Sequence, residues 1–492
     1  MEPRGGNGLR SPAAGAMATL LLLLTIPYLV PALRRVRVLT PLPEGEGIAL
    51  IAPAEQEAPV GEAELPAAAS EGSDRAQPER VVMPPEAPET KDVVARTAEQ
   101  EKPPRSIEDP SGRALDAFFR VLGAVERGER GAIARVSYWG DSNVASDFVT
   151  ATLRRRLQRR FGDAGHGFVL LANSDPYYFH NDVVRSASFD WGLTRISGPL
   201  SADGMYGIGG ASFRSKAGGA FSRTGTARTG GFGLAVSRFS VDYLEHPQGE
   251  RMEVRIDGQV REIVDTRADV IRGVFRTYEV PDGPHEIELR PLGAGVRAFG
   301  VTLERDTPGV VVDALGVAGS KIRYLSRIDR AHWEEQLKLR NPALAVFHFG
   351  VNEGTEGDLT FPLDQYEATM GDAIAAVRRA LPDSSCLLVS PNDLAWKTTS
   401  GVYSSKAVVP KLAAIQRRVA AAQGCAFWDL FEAMGGAGSM ARWIRRGLGN
   451  PDMMHPSSTG AEVLGHWLYL ALMEAYAARG PHPQPLPERE RG

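Results

Sequence analysis

The sequence is poor in the residues on which disulfide scaffolds and cysteine metal centres depend. Its 492 residues include only two cysteines, Cys386 and Cys425, which excludes a disulfide-stapled scaffold and a cysteine metal cluster. An excess of charge of one sign is also absent. The 56 basic and 60 acidic residues leave a formal net charge of -4, which gives no general reason to expect nucleic-acid binding.

Residues 13–33 contain no charged side chain. This apolar stretch is about long enough to cross a bilayer, although Pro27 and Pro31 weaken its second half. Three arginines follow between residues 34 and 37, and no clear small-residue cleavage site precedes them. We therefore expect residues 1–36 to be a signal-anchor, with a cleaved signal peptide as the alternative, and the rest of the chain to be exported.

The next segment, residues 37–110, is rich in Pro, Ala and Glu and poor in aromatic residues. Such a composition does not bury enough apolar surface to fold, which predicts an extended, disordered linker between a membrane and the following domain. Residues 480–492 are rich in proline and charge, and we expect them to be a disordered tail.

Two separated stretches, residues 111–190 and 308–479, alternate between short apolar runs and amphipathic helical patterns. This alternation is typical of a doubly wound parallel sheet, whose ligand site lies at the carboxyl ends of its strands. The two stretches are therefore predicted to be the two parts of one α/β domain.

Residues 191–307 follow a different pattern, with frequent Gly, short alternating runs and no long helical period. Tight turns at Asp257-Gly258 and Asp282-Gly283 predict two hairpins. We expect an inserted all-β domain, jelly-roll-like or another sandwich, with a possible role in carbohydrate binding. The candidate stacking residues, which the sequence does not distinguish from ordinary core residues, are Tyr177, Tyr178, Trp191, Tyr206 and Phe213.

The stretch from Trp139 to Asn143 follows an apolar run and precedes an amphipathic helix. A strand, a glycine turn and a helix start would expose the Ser142 hydroxyl beside backbone N–H groups that favour negative charge. A nucleophilic serine needs this presentation. Gly-Asp-Ser alone is a weak signal, because turns are rich in such residues.

Three more polar or glycine features fall where strands are expected to end: Gly319, Asn352 and the pair Asp452/His455. The spacing of three between Asp452 and His455 lets the carboxylate hold imidazole Nδ1 and leaves Nε2 free to take a proton. No third ligand lies at metal-binding spacing nearby, so we expect neither a metal nor another cofactor.

In this combination and order, the four features resemble the blocks of the SGNH (GDSL-type) hydrolase superfamily. The resemblance implies a flavodoxin-like doubly wound parallel sheet and ester hydrolysis without a metal. It makes Ser142 the nucleophile, with Gly140 and Asp141 supporting its turn and with Asp452 and His455 as its partners. The matching stretches are Gly140-Asp141-Ser142, Gly316-Val317-Ala318-Gly319, Gly350-Val351-Asn352-Glu353 and Asp452-Met453-Met454-His455.

The same resemblance implies an oxyanion hole formed by the Ser142 N–H, the Gly319 N–H and the Asn352 amide. One departure is Glu353, which stands where many members of the superfamily have Asp.

Within the superfamily the chain most resembles peptidoglycan O-acetylesterases that carry an inserted β-sandwich. The supporting stretches are residues 162–165, 203–210, 427–431 and 434–436. We expect removal of O-acetyl groups from a cell-envelope polysaccharide, namely peptidoglycan, through an acyl-serine intermediate. An O-acetyltransferase with the same triad and a non-enzymatic glycan-binding protein are the alternatives. The expected partners are the acetylated glycan and, through the N-terminal segment, the inner membrane, but no nucleic acid.

Cys386 and Cys425 each begin a predicted strand. In an exported protein these two residues are able to form a disulfide if the strands are neighbours. Two buried thiols are the alternative.

Overall fold

The computed structural model describes residues 103–356, 362–399 and 403–479, together with two short strands nearer the N-terminus. Those strands, β1 (Leu39–Thr40) and β2 (Ala49–Leu50), pair antiparallel.

The predicted signal-anchor and tail lie outside the described residues, as does most of the predicted linker. Within the described part of the chain, no helix combines the length and apolar character needed to cross a bilayer.

The first part of the α/β region supplies one strand and three helices. They are α1 (Asp116–Glu126), β3 (Ile133–Gly140), α2 (Ser142–Ala145) and α3 (Phe148–Phe161).

An all-β region follows. Its strands are β4 (Gly167–Leu170), β5 (Val183–Ala187), β6 (Trp191–Arg195), β7 (Ala211–Ser215), β8 (Ser222–Thr226), β9 (Val236–Glu245), β10 (Arg251–Ile256), β11 (Gln259–Asp265), β12 (Arg272–Gly283), β13 (Glu286–Pro291) and β14 (Arg297–Glu304).

The second part of the α/β region contains a 3-10 helix at Ile322–Arg327. Its other elements are β15 (Gly309–Gly316), α4 (Arg330–Arg340), β16 (Leu344–His348), α5 (Val351–Gly354), α6 (Leu363–Ala380), β17 (Ser385–Val389), β18 (Ala395–Lys397), β19 (Tyr403–Ser405), α7 (Val408–Gln423), β20 (Ala426–Trp428), α8 (Leu430–Ala433), α9 (Ser439–Arg445) and α10 (Ser458–Ala477).

The centre of the α/β region is a five-stranded parallel sheet in the order β15-β3-β16-β17-β20. Its strands are nearly continuous apolar runs because helices cover both faces, so each residue faces a core. Every residue of β15, β16 and β17 is buried. The predicted doubly wound α/β sheet with an inserted all-β domain is confirmed.

The insertion consists of two antiparallel sheets, β11-β10-β13-β8-β5 and β12-β9-β14-β7-β6, with β4 added to β14. It begins earlier than residue 191, because β4 and β5 already pair within these sheets. The expected hairpin at Asp257-Gly258 joins β10 to β11. The second expected hairpin is wrong: Asp282-Gly283 ends β12, which pairs with β9, whereas β13 pairs with β10 and β8, so the chain passes from one sheet to the other after Gly283.

A buried charge network joins the insertion to the α/β region. Glu304, at the end of β14, accepts hydrogen bonds from Arg135 at 2.8 and 2.9 Å and from Arg238 at 2.6 Å, and it pairs with Arg340 of α4. Arg340 also binds both carboxylate oxygens of Asp313 in β15. Burial alone would raise the pKa of Glu304, but these arginines hold it well below its usual value.

The edge of the central sheet is covered by the residues that lead into the domain. Glu108 and Phe427 of β20 exchange two backbone hydrogen bonds of 2.8 Å, so residues from 103 onward are part of the folded domain.

Cys386 in β17 and Cys425 just before β20 form a disulfide, with their Cα atoms 4.7 Å apart. The alternative of two buried thiols is therefore wrong.

Candidate active site

Three of the four predicted features follow strands that end side by side. Gly140, the last residue of β3, lies opposite Gly316 of β15 and His348 of β16. Because the strands are parallel, the loops that follow them leave from one edge of the sheet. These loops carry Ser142 and the two predicted oxyanion donors.

The turn before Ser142 is held by its own side chains and by a glycine. Asp141 is fully buried, and its Oδ1 accepts the N–H of Asn143 at 3.0 Å. The short helix α2 lies directly against Gly316, where an added Cβ would collide with the backbone nitrogen of Ala145. Only glycine fits there, so its place at the end of β15 fixes how closely the helix packs.

Ser142, His455 and Asp452 form one hydrogen-bonded line, although Ser142 and His455 are 313 residues apart. Ser142 Oγ lies 2.7 Å from His455 Nε2, and His455 Nδ1 lies 2.7 Å from Asp452 Oδ2. Asp452 Oδ1 accepts the backbone N–H groups of Met454 at 2.9 Å and His455 at 3.0 Å. These bonds turn the carboxylate toward the imidazole.

The charges around His455 favour its role as a proton acceptor. Burial alone would lower the pKa of His455, but the hydrogen bond and charge of Asp452 raise it above its ordinary value. Burial would raise the pKa of Asp452, whereas the His455 side chain and the two backbone N–H groups lower it to about 2. Asp452 is thus ionised at neutral pH and stabilises a proton on His455.

The two predicted oxyanion donors lie in loops that contact each other. Asn352 Nδ2 donates one hydrogen bond to the carbonyl of Ser320, at 2.9 Å, and the amide has a second N–H. Gly319 has a φ of +73°, which is a left-handed conformation that favours glycine. No atom lies within 4 Å of where its Cβ would be, so space beside the Gly319 backbone is open.

Asn392, which is not among the residues predicted from the sequence, links the two halves of the site. Its Oδ1 accepts a hydrogen bond from Asn143 Nδ2, and its Nδ2 donates one to the carbonyl of Met454, both at 2.8 Å. Asn392 thus ties the turn of the predicted nucleophile to the loop of His455. It follows β17, so the search for polar residues at strand ends, extended to this strand, would have found it.

One described group has the spacing of metal ligands: Asp147, His166 and His180, all buried. Both oxygens of Asp147 are already engaged, by Arg154 Nη1 and Nη2, the Thr150 hydroxyl and the Asn181 N–H. His166 Nε2 and His180 Nδ1 contact each other at 2.9 Å. The contacts are those of a buried hydrogen-bond network around an ion pair.

Most of the predicted stacking residues belong to the core. The one exposed member of that set is Tyr177, at 69%. The others are buried and have no free face for a sugar ring: Tyr178, Trp191, Tyr206 and Phe213.

Residues 282–463 match the GDSL-like Lipase/Acylhydrolase family. The matched segment contains Gly319, Asn352, Asp452 and His455, and it begins after Ser142. The fold is similar to that of a solved peptidoglycan O-acetylesterase, with a TM-score of 0.64 and 22% identity, over 76% of this chain and 99% of that one.

Residues 282–463 therefore resemble a GDSL-like acylhydrolase, and the fold is similar to that of the solved esterase.

Acetylxylan esterases match a smaller part of the chain. One covers 33% of this chain and 80% of its own, with 18% identity and a TM-score of 0.26. The enzyme from Geobacillus stearothermophilus covers 35% of this chain and 74% of its own, with 20% identity and a TM-score of 0.25. No curated protein matches the chain.

Proposed function

We propose that the hydrolase removes O-acetyl groups from peptidoglycan, with Ser142 as nucleophile, His455 as general base and acid, and Asp452 as the residue that orients His455. The observation that carries the chemistry is the line from Ser142 Oγ to His455 Nε2 and from His455 Nδ1 to Asp452. The substrate is supported by similarity to a peptidoglycan O-acetylesterase over nearly all of that chain, insertion included.

Acylation begins when Ser142 Oγ attacks the acetyl carbonyl carbon and His455 Nε2 takes the hydroxyl proton. The carbonyl oxygen becomes an oxyanion. The Ser142 N–H, the Gly319 N–H and the Asn352 amide donate to it, and one such donor is typically worth about 2.7–4 kcal/mol.

The tetrahedral intermediate formed by this attack then breaks down. The bond between the acetyl carbon and the sugar oxygen breaks, His455 gives its proton to that oxygen, and the sugar leaves acetyl-Ser142 behind. Water attacks the acyl-serine in the same way, with His455 again as base. Acetate is released, and the proton returns to Ser142.

An extracytoplasmic location follows from the same proposal, because peptidoglycan lies outside the cytoplasm. The Cys386–Cys425 disulfide supports it, since such bonds persist in oxidising compartments. We further propose that residues 1–36 attach the hydrolase to the inner membrane and that the insertion contributes to glycan binding.

The test is acetate release from O-acetylated peptidoglycan and from acetylated xylan, with wild-type protein and with Ser142→Ala. We expect release from peptidoglycan that exceeds release from xylan and is lost in the variant. Equal release by both proteins would contradict the role of Ser142, and faster release from xylan would contradict the substrate. Acetate transfer to added unacetylated glycan, in place of release, would indicate the transferase alternative.

A further inference from the structure

The residue after Asn352 has no role in the cycle just described. Glu353 lies in α5 with 1% of its surface exposed. Its Oε1 accepts the backbone N–H of Ile322 at 2.9 Å. Within the described residues, Oε2 has no hydrogen-bond partner. Burying a carboxyl oxygen without a hydrogen-bond partner costs free energy. A group with this cost, beside a predicted oxyanion donor, suggests a function at that place.

Glu353 and its neighbours hold the loop that carries Gly319. Asn352 Nδ2 binds the carbonyl of Ser320, and Glu353 binds the N–H of Ile322, two residues further along. Between them, Lys321 forms an ion pair with Glu356. The segment that contains Asn352 therefore fixes three consecutive residues directly after Gly319.

The charge state of Glu353 matters because of where it lies. A second buried carboxyl, that of Asp141, acts on it from the turn before Ser142. The charge of Glu353 in turn contributes to the raised pKa of Tyr366 in α6. Lys321 is the nearby cation, and it is already paired with Glu356. An ionised Glu353 would add a buried negative charge behind the place where the oxyanion forms, and the two charges would repel each other.

We propose that Glu353 is a positioning residue that works as a neutral carboxylic acid and, through Ile322, holds the Gly319 N–H where the oxyanion forms. This inference rests on the proposed function. Burial first, and the charge of Asp141 as a further cause, raise the pKa of Glu353 to about 7, and burial raises the pKa of Asp141 to about 6. Glu353 is therefore neutral below about pH 7 and ionises above it.

The first test compares kcat and KM for p-nitrophenyl acetate in Glu353→Ala and Glu353→Gln. Loss of the contact to Ile322 in Glu353→Ala should lower kcat about 10- to 100-fold, because a misplaced oxyanion donor acts only on the transition state, while KM stays within about twofold. The Gln side chain offers the same oxygen to Ile322, so Glu353→Gln should retain kcat within about threefold below pH 7.

The second test is the pH dependence of kcat. In the wild type kcat should fall by about tenfold above neutral pH as Glu353 ionises, whereas Glu353→Gln should show no such fall. The acid limb, set by His455, should be the same in both. Glu367→Gln removes an exposed carboxylate that pairs with Arg418, and it should match the wild type throughout.

Thermal unfolding shows whether Glu353→Ala is folded; if it is not, the pH profile of Glu353→Gln decides alone. Wild-type kcat in folded Glu353→Ala, or an alkaline fall that persists in Glu353→Gln, would overturn the proposal. These outcomes differ from failure of the proposed function, in which the wild type itself would not hydrolyse acetyl esters.

Discussion

Two Asp–His pairs among the described residues have nearly identical geometry, one in each region. In the α/β region, His455 Nδ1 lies 2.7 Å from Asp452 Oδ2. In the insertion, His285 Nδ1 lies 2.7 Å from Asp257 Oδ2. Both carboxylates are about half exposed, at 46% for Asp452 and 49% for Asp257. The contact between acid and imidazole is therefore the same in the proposed catalytic pair and in the pair of the insertion.

The difference lies at the other ring nitrogen. His455 Nε2 faces the Ser142 hydroxyl, which is able to donate its proton. His285 Nε2 contacts the carbonyl of Pro281 at 2.8 Å. A carbonyl oxygen only accepts, so this nitrogen must carry a hydrogen and is not able to take another. The partner of Nε2 therefore decides whether the histidine of an Asp–His pair is able to act as a general base.

The largest effect should come from changing the two aspartates in parallel. Asp452→Asn should lower kcat for p-nitrophenyl acetate by about 10⁴-fold, because the amide no longer holds His455 in the tautomer that accepts a proton. Asp257→Asn should leave kcat unchanged, since no nucleophile faces His285. A large loss of kcat in both variants, or in neither, would contradict the proposed difference between the two pairs.

The next largest effect concerns the junction between the two regions. Arg340→Ala leaves Glu304 and Asp313 buried with less compensating charge, and it should lower the free energy of unfolding by about 3–5 kcal/mol. Arg330→Ala, in the same helix, breaks only an exposed pair with Glu334 and should change stability little. Urea unfolding of both variants measures the difference, and similar values would argue that the junction network is not stabilising.

A smaller, pH-dependent effect separates the two histidines. Protonated His455 is not able to take the Ser142 proton, so kcat/KM should fall as pH drops through the pKa of His455, which lies above its ordinary 6.5. In the residual activity of Asp452→Asn this acid limb should move to lower pH, because the charge that raises the pKa is gone. Asp257→Asn should not move it, and a shift there would contradict the assignment of the limb to His455.

The smallest expected effect is at Tyr177, the exposed aromatic of the predicted stacking set. Its loop is linked to the helix of Ser142 by a hydrogen bond of 3.1 Å from the Phe179 N–H to the Ala145 carbonyl. Tyr177→Ala should raise KM for acetylated peptidoglycan by about threefold and leave KM for p-nitrophenyl acetate unchanged. Phe189→Ala, which removes another exposed ring, is the control, and equal effects would exclude a specific role for Tyr177.

The sequence predicts the position of a residue best where that position depends on the end of a strand. The positions of Ser142, Gly319 and Asn352 followed from apolar runs that end in glycine or polar residues. The Asp452/His455 pair followed from a spacing that one turn of backbone satisfies.

Features that depend on contacts distant in sequence were not accessible. Asn392 acts through Asn143, 249 residues away, and neither residue forms a local pattern with the other. The sequence predicts a hairpin turn at Asp282-Gly283, but these residues end β12, and a turn signal does not say whether the next strand returns to the same sheet. Tyr206 has the aromatic ring that a sugar-stacking residue needs, and only tertiary packing shows that it is fully buried.

The edge of the central sheet has a mechanical consequence. A pull on the chain before residue 103 reaches Glu108, which is hydrogen-bonded to Phe427 of β20. From β20 the load passes to β17 through the Cys386–Cys425 bond as well as through hydrogen bonds. A covalent crosslink thus reinforces the strand that takes the force first.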